Sequence, residues 1–298
     1  MRRHVFLNPG FTPPAQIIFK ALRPHQWVKS AFVFLPLIFG SKLFEPQAFL
    51  KTLGMSVVFA LASSAVYLLN DIYDLEEDKK HPDKCTRPLA AGLMTGRQAV
   101  LLIMALSAVS LSCAYFLNSR AAGILLVYFF LNLVYSRYLK RIVIIDVFCI
   151  GVFYYLRIAA GGIVSEVSLS SWILICSVLL ALFIGFNKRK YDLDFGPQNN
   201  GGGDTYTRYY IDRMISIIAS SLIMSYALYV MDKETVAKFH TQALIYTVPL
   251  AYYGIFRYIY LVDMRLLGGD PVRILWKDHV LKLTVLLWLI VCAAVIYF

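Results

Sequence analysis

Nine mostly apolar runs decide what this 298-residue chain can fold into. As α-helices, all but the short fourth run are long enough to cross a hydrocarbon core of about 30 Å. Because lipid offers the backbone no hydrogen-bond partners, spanning segments of this kind fold as helices. The sequence therefore predicts an all-α polytopic membrane protein with nine transmembrane helices. The predicted spans are residues 24–43, 49–70, 98–117, 121–136, 142–164, 169–187, 213–231, 241–261 and 279–298.

The composition agrees with a membrane location. Hydrophobic residues make up 59% of the chain and charged residues 16%, whereas a soluble domain carries about 25% charged residues. The start, "MRRHVFLNPGFTPPAQ", has basic residues but neither the apolar core nor the cleavage site of a signal peptide. We expect a single domain over residues 1–298, with residues 1–20 as a cytoplasmic N-terminal segment.

The basic residues predict the orientation of the spans. Most of the 29 lysines and arginines lie in the N-terminal segment and in alternate connections after it. By the positive-inside rule, this side faces the cytoplasm, so the N-terminus lies inside the plasma (inner) membrane and the C-terminus outside. The net charge of +11 is dispersed over these connections. It therefore favours attraction to anionic membrane lipids and argues against a nucleic-acid partner.

Six of the 18 carboxylates lie in one stretch, "NDIYDLEEDKKHPDKCTRPLAAG" at 70–92, where the second span ends. If the helix continues past the membrane edge, Asn70, Asp74 and Asp78 share one stripe, and Asp71 flanks it. Like charges on one stripe repel each other. A hard cation such as Mg²⁺ resolves the repulsion, because it prefers carboxylate and amide oxygens and completes its shell with water and phosphate oxygens. The stripe therefore favours binding of a Mg²⁺-diphosphate group.

The alternative for this stretch is a solvated helix end, on which Lys79 and Lys80 balance the acids. Glu76 and Glu77 fit that alternative well. For the Asn/Asp stripe it stays open but is the less favoured interpretation, because a helix gains no stability from neighbouring like charges.

Basic residues that suit phosphate groups follow in the connections on the same predicted side. Arginine is favoured for bidentate phosphate contacts, although each of these residues also fits a simple topology marker. Arg157 lies inside an apolar span, where a charged side chain normally faces a polar cavity. Gly161 and Gly162 next to it favour close helix packing. The candidates in the connections are Lys84, Arg87, Lys140, Lys188 and Arg189.

The acidic stretch resembles a known family. "NDIYDLEED" fits the NDxxDxxxD signature of the UbiA superfamily of intramembrane prenyltransferases, and "TRPLAAG" at 86–92 fits the segment that follows it. The resemblance covers essentially the whole chain. It implies a UbiA-like bundle of nine helices, cytoplasmic catalytic loops and Mg²⁺ as the cofactor.

A narrower resemblance is to the members of this superfamily that transfer phosphoribosyl groups to polyprenyl phosphates. The superfamily's second acidic motif is replaced here by "KRKYDLD", whose extra positive charge suits a donor with an additional phosphate. The resemblance implies Mg²⁺-dependent transfer of a 5-phosphoribosyl group to a decaprenyl-like lipid phosphate for cell-envelope sugar-lipid synthesis. The segments that carry it are "LRPHQWVKS" at 22–30, "NKRKYDL" at 187–193, "YTRYY" at 206–210 and "GGDPVRILWKDHVL" at 268–281.

The two resemblances together imply roles for individual residues. Catalysis is expected at Asn70, Asp71, Asp74 and Asp78, and the metal ligands among them are Asn70, Asp74 and Asp78. The expected partners are phosphoribosyl diphosphate, polyprenyl phosphate, membrane lipids and, as a homo-oligomer, further copies of the chain. The expected substrate-binding residues are Lys29, Lys84, Arg87, Lys140, Arg157, Lys188, Arg189, Asp192 and Tyr206.

Two other functions stay open from the sequence. A prenyltransferase that joins a polyprenyl diphosphate to an aromatic quinone or haem precursor would need the same acidic stripe. A transporter would place ionisable residues near the bilayer midplane, in helices interrupted at corresponding positions of two halves. Here the charges collect at one membrane edge, which favours an enzyme.

Overall fold

The computed structural model of the chain describes residues 15–81, 83–195, 206–265 and 271–298. Within these ranges the regular structure is entirely helical. Short 3₁₀ helices lie at Pro24–Phe34, Lys84–Thr86, Leu139–Arg141 and Ala243–Thr247. The α-helices are α1 Ala15–Leu22, α2 Leu35–Phe39, α3 Pro46–Tyr73, α4 Leu75–Lys80, α5 Gly96–Leu117, α6 Ser119–Arg137, α7 Ile145–Ser165, α8 Ser171–Phe195, α9 Arg208–Met231, α10 Lys233–Phe239, α11 Val248–Arg265, α12 Pro271–Lys277 and α13 His279–Tyr297.

Seven of these helices are long and apolar enough to cross a membrane. They are α3, α5, α6, α7, α8, α9 and α13. Two of the nine predicted spans are not among them. Residues 24–43 form a 3₁₀ helix followed by the five-residue α2. Residues 241–261 form another 3₁₀ helix and most of α11, whose sequence includes Arg257 and Asp263.

The chain divides into two compact units. The first unit takes in the described residues up to Ser30 together with Val57–Arg137. The second takes in Ala31–Ser56 and the described residues from Tyr138 onward. Helix α3 passes from the second unit into the first at Val57, so its last turns, which carry Asn70 and Asp71, belong to the first unit.

In the first unit, the end of α3 packs on α5 and on the segment between them. Leu68, Leu89, Met94 and Ala99 are buried together in one apolar cluster. Thr95 begins α5 with a capping box: its hydroxyl accepts from the N–H of Gln98, and the Gln98 side-chain oxygen accepts from the N–H of Thr95. The connection that follows the acidic stretch is therefore held close to the end of α3.

In the second unit, helices α7, α8 and α9 pack in sequence, and α11 and α13 complete the core. Gly161 of α7 lies against the chain at Val33, where an added Cβ would come within 2.1 Å of the Val33 carbonyl oxygen. This contact confirms that Gly161 serves close packing. Thr207 begins α9 by accepting a hydrogen bond from the N–H of Tyr210. The glycine-rich segment 196–204 lies outside the described residues.

Candidate active site

The acidic stretch keeps helical hydrogen bonding across a break between α3 and α4. Asp74 lies between the two helices with φ −98° and ψ 10°. Its N–H donates to the carbonyl of Asn70 at 2.9 Å, and the N–H of Asp78 donates to the carbonyl of Asp74 at 2.8 Å. The predicted continuation of the helix past Asn70 is therefore present in the backbone hydrogen bonds, although α3 itself ends at Tyr73.

Two of the four predicted site residues in this stretch are deeply buried and share one arginine. Asp71 and Asp78 are each 3% exposed. Arg87 donates to Asp71 at 3.0 Å and to Asp78 at 2.5 Å. Arg23 forms a second, short ion pair with Asp71. Two carboxylates and two guanidinium groups therefore compensate each other's charge in a small buried cluster, which we call the Arg87 cluster (Arg23, Asp71, Asp78 and Arg87).

Asn70 and Asp74 lie beside this cluster. The side-chain oxygen of Asn70 accepts a short hydrogen bond from Ser136, a buried residue near the end of α6. Asp74 is partly exposed. The outer acids behave differently, because exposed Glu76 accepts from Lys79 at 2.6 Å, and this hydrogen bond lowers the pKa of its carboxyl group. The solvated-helix alternative therefore describes Glu76, but it does not describe Asp71 or Asp78.

The donor atoms of the first unit suit a hard cation. Asp71 and Asp78 provide carboxylate oxygens, and Asn70 provides an amide oxygen, which are the groups that Mg²⁺ prefers. Among the residues that the structure describes, no group of three or more His, Cys, Asp or Glu side chains is arranged to hold a metal. A small set of protein ligands is nevertheless typical of Mg²⁺, which takes its remaining ligands from water and substrate phosphates.

The segment before α3 places Lys29 beside Arg23 on the same face of α3. Lys29 lies 3.5 Å from the hydroxyl of Tyr67 and 5.7 Å from the centre of its ring. Arg23 lies 5.3 Å from the same ring and has a left-handed backbone conformation, with φ 52°. Trp27 holds this segment in place by donating its indole N–H to Ser64 at 3.0 Å. Tyr67 precedes Asp71 by one helical turn, so Lys29 lies next to the Arg87 cluster.

The second unit contains a separate polar cluster at the start of α7. Asp146, which is 2% exposed, accepts from Arg189 Nε at 2.5 Å and from the Tyr206 hydroxyl at 2.7 Å. The Tyr206 oxygen also accepts from the N–H of Ile144 at 2.5 Å. Burial and the hydrogen bond to Asp146 raise the pKa of the Tyr206 phenol well above its ordinary value, so it remains a donor at neutral pH. The predicted residue Asp192 lies 3.8 Å from Arg189.

Next to Arg189, Lys190 occupies a buried ion triad that we did not predict. Its ammonium group lies 2.5 Å from Asp212 of α9 and 2.6 Å from Asp263 of α11. Lys190 itself is 6% exposed. One of the three bases in "KRKYDLD" therefore joins three helices, which reduces the number of bases in this segment that are open to a substrate.

The other predicted binding residues have different surroundings. Lys84 begins the 3₁₀ helix whose far end is Arg87, and it is partly exposed. Lys140 is partly exposed on the 3₁₀ helix before α7, and Lys188 is exposed on α8. Arg157 is buried in α7, where it donates to the carbonyl of Phe153 at 2.9 Å.

Part of the predicted segment 268–281 lies outside the described residues. The part that is described contains Asp278, which caps α13 by accepting from the N–H of Leu281 at 2.7 Å. The same carboxylate accepts two hydrogen bonds from Arg257 of α11, at 3.2 and 2.8 Å. Asp278 therefore has a structural role in joining α11 to α13.

Sequence reasoning missed several residues of these polar sites. Ser136, Asp146, Asp212 and Asp263 did not enter the predictions. Asp146 belongs to no acidic motif, and the residues that it binds come 43 and 60 positions later in the chain. Asp146 follows the basic turn "YSRYLKR" at 135–141 after four apolar residues, and this single acid close to a basic turn is the local signal in the sequence.

Comparison with known proteins places this geometry in context. Residues 32–276 match the UbiA prenyltransferase family. A decaprenyl-phosphate phosphoribosyltransferase of Mycobacterium tuberculosis (strain CDC 1551) is 30% identical, and the match covers 96% of this chain and 97% of that protein. The Corynebacterium glutamicum protein of the same name is 31% identical, with coverage of 97% and 90%.

The fold matches solved structures as well. A UbiA homolog from Archaeoglobus fulgidus, solved with GPP and Mg²⁺, superimposes with a TM-score of 0.70. The superposition covers 95% of this chain and 100% of that protein, at 19% sequence identity. The architecture is therefore shared at a low level of sequence similarity.

Proposed function

Because the chain belongs to the UbiA prenyltransferase family, we propose that it transfers a 5-phosphoribosyl group from 5-phosphoribosyl 1-diphosphate to a long-chain polyprenyl phosphate. The names of the mycobacterial and corynebacterial relatives, which match it over nearly their whole length, support this acceptor and this transferred group. The observation that carries the proposal is the Arg87 cluster, in which buried carboxylates lie in contact with guanidinium groups. Such a cluster offers oxygens to a cation and fork-shaped donors to a diphosphate.

In this proposal, Asn70, Asp71, Asp74 and Asp78 form the catalytic stretch, and Asn70, Asp74 and Asp78 are the proposed Mg²⁺ ligands. Asp71 lies close enough to Asp78 to share Arg87 with it. When bound, Mg²⁺ would offset the negative charge that develops on the departing diphosphate. The Mg²⁺ in the solved Archaeoglobus fulgidus relative supports this choice of cofactor.

Donor binding then involves an exchange of ionic partners in the Arg87 cluster. Before the donor binds, Arg23 and Arg87 neutralise Asp71 and Asp78. A cation bound at Asp78 would compete with Arg87 for that carboxylate and make the Arg87 guanidinium group available for bidentate phosphate contacts. The cation and the diphosphate should therefore bind cooperatively. The cation replaces Arg87 as the partner of the carboxylate, and the diphosphate replaces the carboxylate as the partner of Arg87.

The remaining basic residues are candidates for binding either the donor or the acceptor. Lys84, Lys140, Lys188, Arg189 and Arg157 remain candidates for the phosphate groups of the donor, and Lys29 is a candidate for the acceptor phosphate. The C1–O bond to the diphosphate breaks as a new C1–O bond to the acceptor phosphate forms, with positive charge on the ribosyl carbon in between. Since the acceptor phosphate is already anionic at neutral pH, the reaction needs no general base.

The proposal includes the place of the protein in the cell. The chain would cross the plasma membrane nine times, with its catalytic loops and N-terminus in the cytoplasm, where a soluble phosphoribosyl donor is found. The seven helices that are long enough to span support a multi-pass arrangement. The product would be a lipid-linked sugar phosphate for the cell envelope, and assembly into a homo-oligomer is compatible with this role.

Prenyl transfer to an aromatic acceptor is the second candidate. It is favoured by the GPP in the Archaeoglobus fulgidus structure, because that relative shares the fold of this chain and binds a prenyl diphosphate. The Arg87 cluster suits either diphosphate donor. The two candidates therefore differ in the group transferred and not in the proposed metal site.

A comparison of donors tests the proposal. Purified full-length protein in lipid nanodiscs is given Mg²⁺, decaprenyl phosphate and radiolabelled phosphoribosyl diphosphate, and the lipid phase is extracted and counted. In parallel, it is given labelled decaprenyl diphosphate with 4-hydroxybenzoate. We expect a labelled lipid that retains the 5-phosphate in the first reaction. Product in the second reaction alone would assign the protein to aromatic prenyl transfer.

A further inference from the structure

Asp146 is buried at the start of α7, and its side chain has partners that are distant in sequence. It faces the Nε edge of Arg189 and the hydroxyl of Tyr206, which belong to other elements of the second unit. The side chain of Arg189 nevertheless remains 26% exposed. The guanidinium group is therefore fixed along one edge while part of it stays accessible.

The backbone at Ile144 is strained, and this conformation allows its N–H to contact Tyr206. Ile144 has φ 74° and ψ −50°, a region that β-branched residues rarely adopt. Its N–H donates to the Tyr206 hydroxyl, and its carbonyl accepts from Phe148 at 3.0 Å as α7 begins. Strain of this kind persists only when the surrounding contacts enforce it, and it concentrates at functional sites. Here it sets the position of Asp146 at the first turn of the helix.

We propose that Asp146 and Tyr206 are positioning residues that orient the Arg189 guanidinium group toward a phosphate group of the donor. The inference rests on the proposed function, because it takes the ligand of Arg189 to be a diphosphate. The Nη1 group of Arg189 also lies 3.8 Å from Asp192, so the plane of the guanidinium group is set by two carboxylates, and its exposed part meets a phosphate group in a preset orientation. Tyr206, predicted above to bind substrate, acts in this account through Asp146.

Removal of the Asp146 charge distinguishes positioning from simple neutralisation. If Asp146 only offset the charge of Arg189, Asp146→Asn would leave a stronger cation and tighten the binding of an anion. If Asp146 orients Arg189, the same variant weakens anion binding although the site becomes more positive. Tyr206→Phe changes no charge and removes one hydrogen bond to Asp146, so it should act in the same direction with a smaller effect.

The test measures the dissociation constant of inorganic pyrophosphate by calorimetry, with Mg²⁺ and full-length protein in nanodiscs. We expect Asp146→Asn to weaken binding about tenfold, the loss of one oriented charge-assisted contact, and Tyr206→Phe to weaken it about threefold. In an Arg189→Gln background, Asp146→Asn should have no further effect. The controls are Tyr209→Phe in the same segment, where the tyrosine is 66% exposed, and Asp232→Asn, where Asn still caps α10.

Unchanged or tighter pyrophosphate binding in Asp146→Asn would overturn the inference, as would a weakening of the same size in the Arg189→Gln background. The melting temperature of each variant is recorded, and a variant that melts earlier but binds as wild type also counts against positioning. Failure of the proposed function gives a different result. In that case the wild-type protein does not turn over phosphoribosyl diphosphate, although its pyrophosphate binding still depends on Asp146.

Discussion

At the scale of single residues, two buried acids share Arg87. Asp71 and Asp78 are both 3% exposed, and an ionised carboxylate in such a place is stable only when it is paired. Arg87 contacts both of them, and its own side chain is 25% exposed. It is therefore anchored on the acids but reachable by a ligand.

Arg87→Gln should destabilise the fold as well as impair donor binding. The variant leaves Asp78 without its ion pair to Arg87, and we expect the free energy of unfolding to fall by about 1–3 kcal/mol. Thermal unfolding in detergent measures this loss. Arg97→Gln is the matched control, because Arg97 is exposed in the first turn of α5, where a positive charge gives no benefit. Equal stability of Arg87→Gln and Arg97→Gln would contradict the buried-pair account.

At the scale of helices, the approach of α7 to the chain at Val33 depends on a missing side chain. A Cβ at Gly161 would lie 2.1 Å from the Val33 carbonyl oxygen, so the backbone must move if one is added. We expect Gly161→Ala to lower the free energy of unfolding by about 1–3 kcal/mol. The thermal midpoint in detergent reports the change.

Gly123→Ala is the matched control for that prediction. Gly123 lies inside α6 with no atom within 4 Å of an added Cβ, and alanine in a helix interior is favoured over glycine by about 0.5–1 kcal/mol. The two variants should therefore shift the midpoint in opposite directions. A loss of stability in Gly123→Ala alone would reverse the assignment of which helix is closely packed.

The helices were predictable because their causes are local. Apolar runs of membrane length predicted seven elements that the structure contains, and the spacing of Asn70, Asp74 and Asp78 placed the acids on a continuing helix. The ionic partners were not predictable in the same way. Arg87 follows Asp78 by nine residues and was selected, whereas Lys190 meets Asp263 across 73 residues. No local pattern marks a partner at that separation, and it is fixed only when α8 packs against α11.

At the scale of the whole molecule, the distribution of charge predicts the orientation in the membrane. Single-cysteine labelling in a variant without the five native cysteines tests this. A cysteine at Lys233, exposed after α9, should react with an impermeant maleimide in intact cells. A cysteine at Lys79, exposed in α4, should react only after lysis, because the positive-inside rule predicts that the basic side faces the cytoplasm. The opposite pattern would place the acidic stretch outside the cell and exclude a cytoplasmic donor.

The most direct test of the account is whether the acidic stretch binds a divalent cation together with a diphosphate. Mn²⁺ in place of Mg²⁺ is titrated into full-length protein in nanodiscs, with and without inorganic pyrophosphate, and free Mn²⁺ is measured by electron paramagnetic resonance. We predict that pyrophosphate strengthens Mn²⁺ binding at least about tenfold. This gain should be lost in Asp74→Asn and Asp78→Asn and kept in Asp83→Asn, where the residue is exposed. Mn²⁺ binding that ignores pyrophosphate, or that survives both substitutions, would contradict the account.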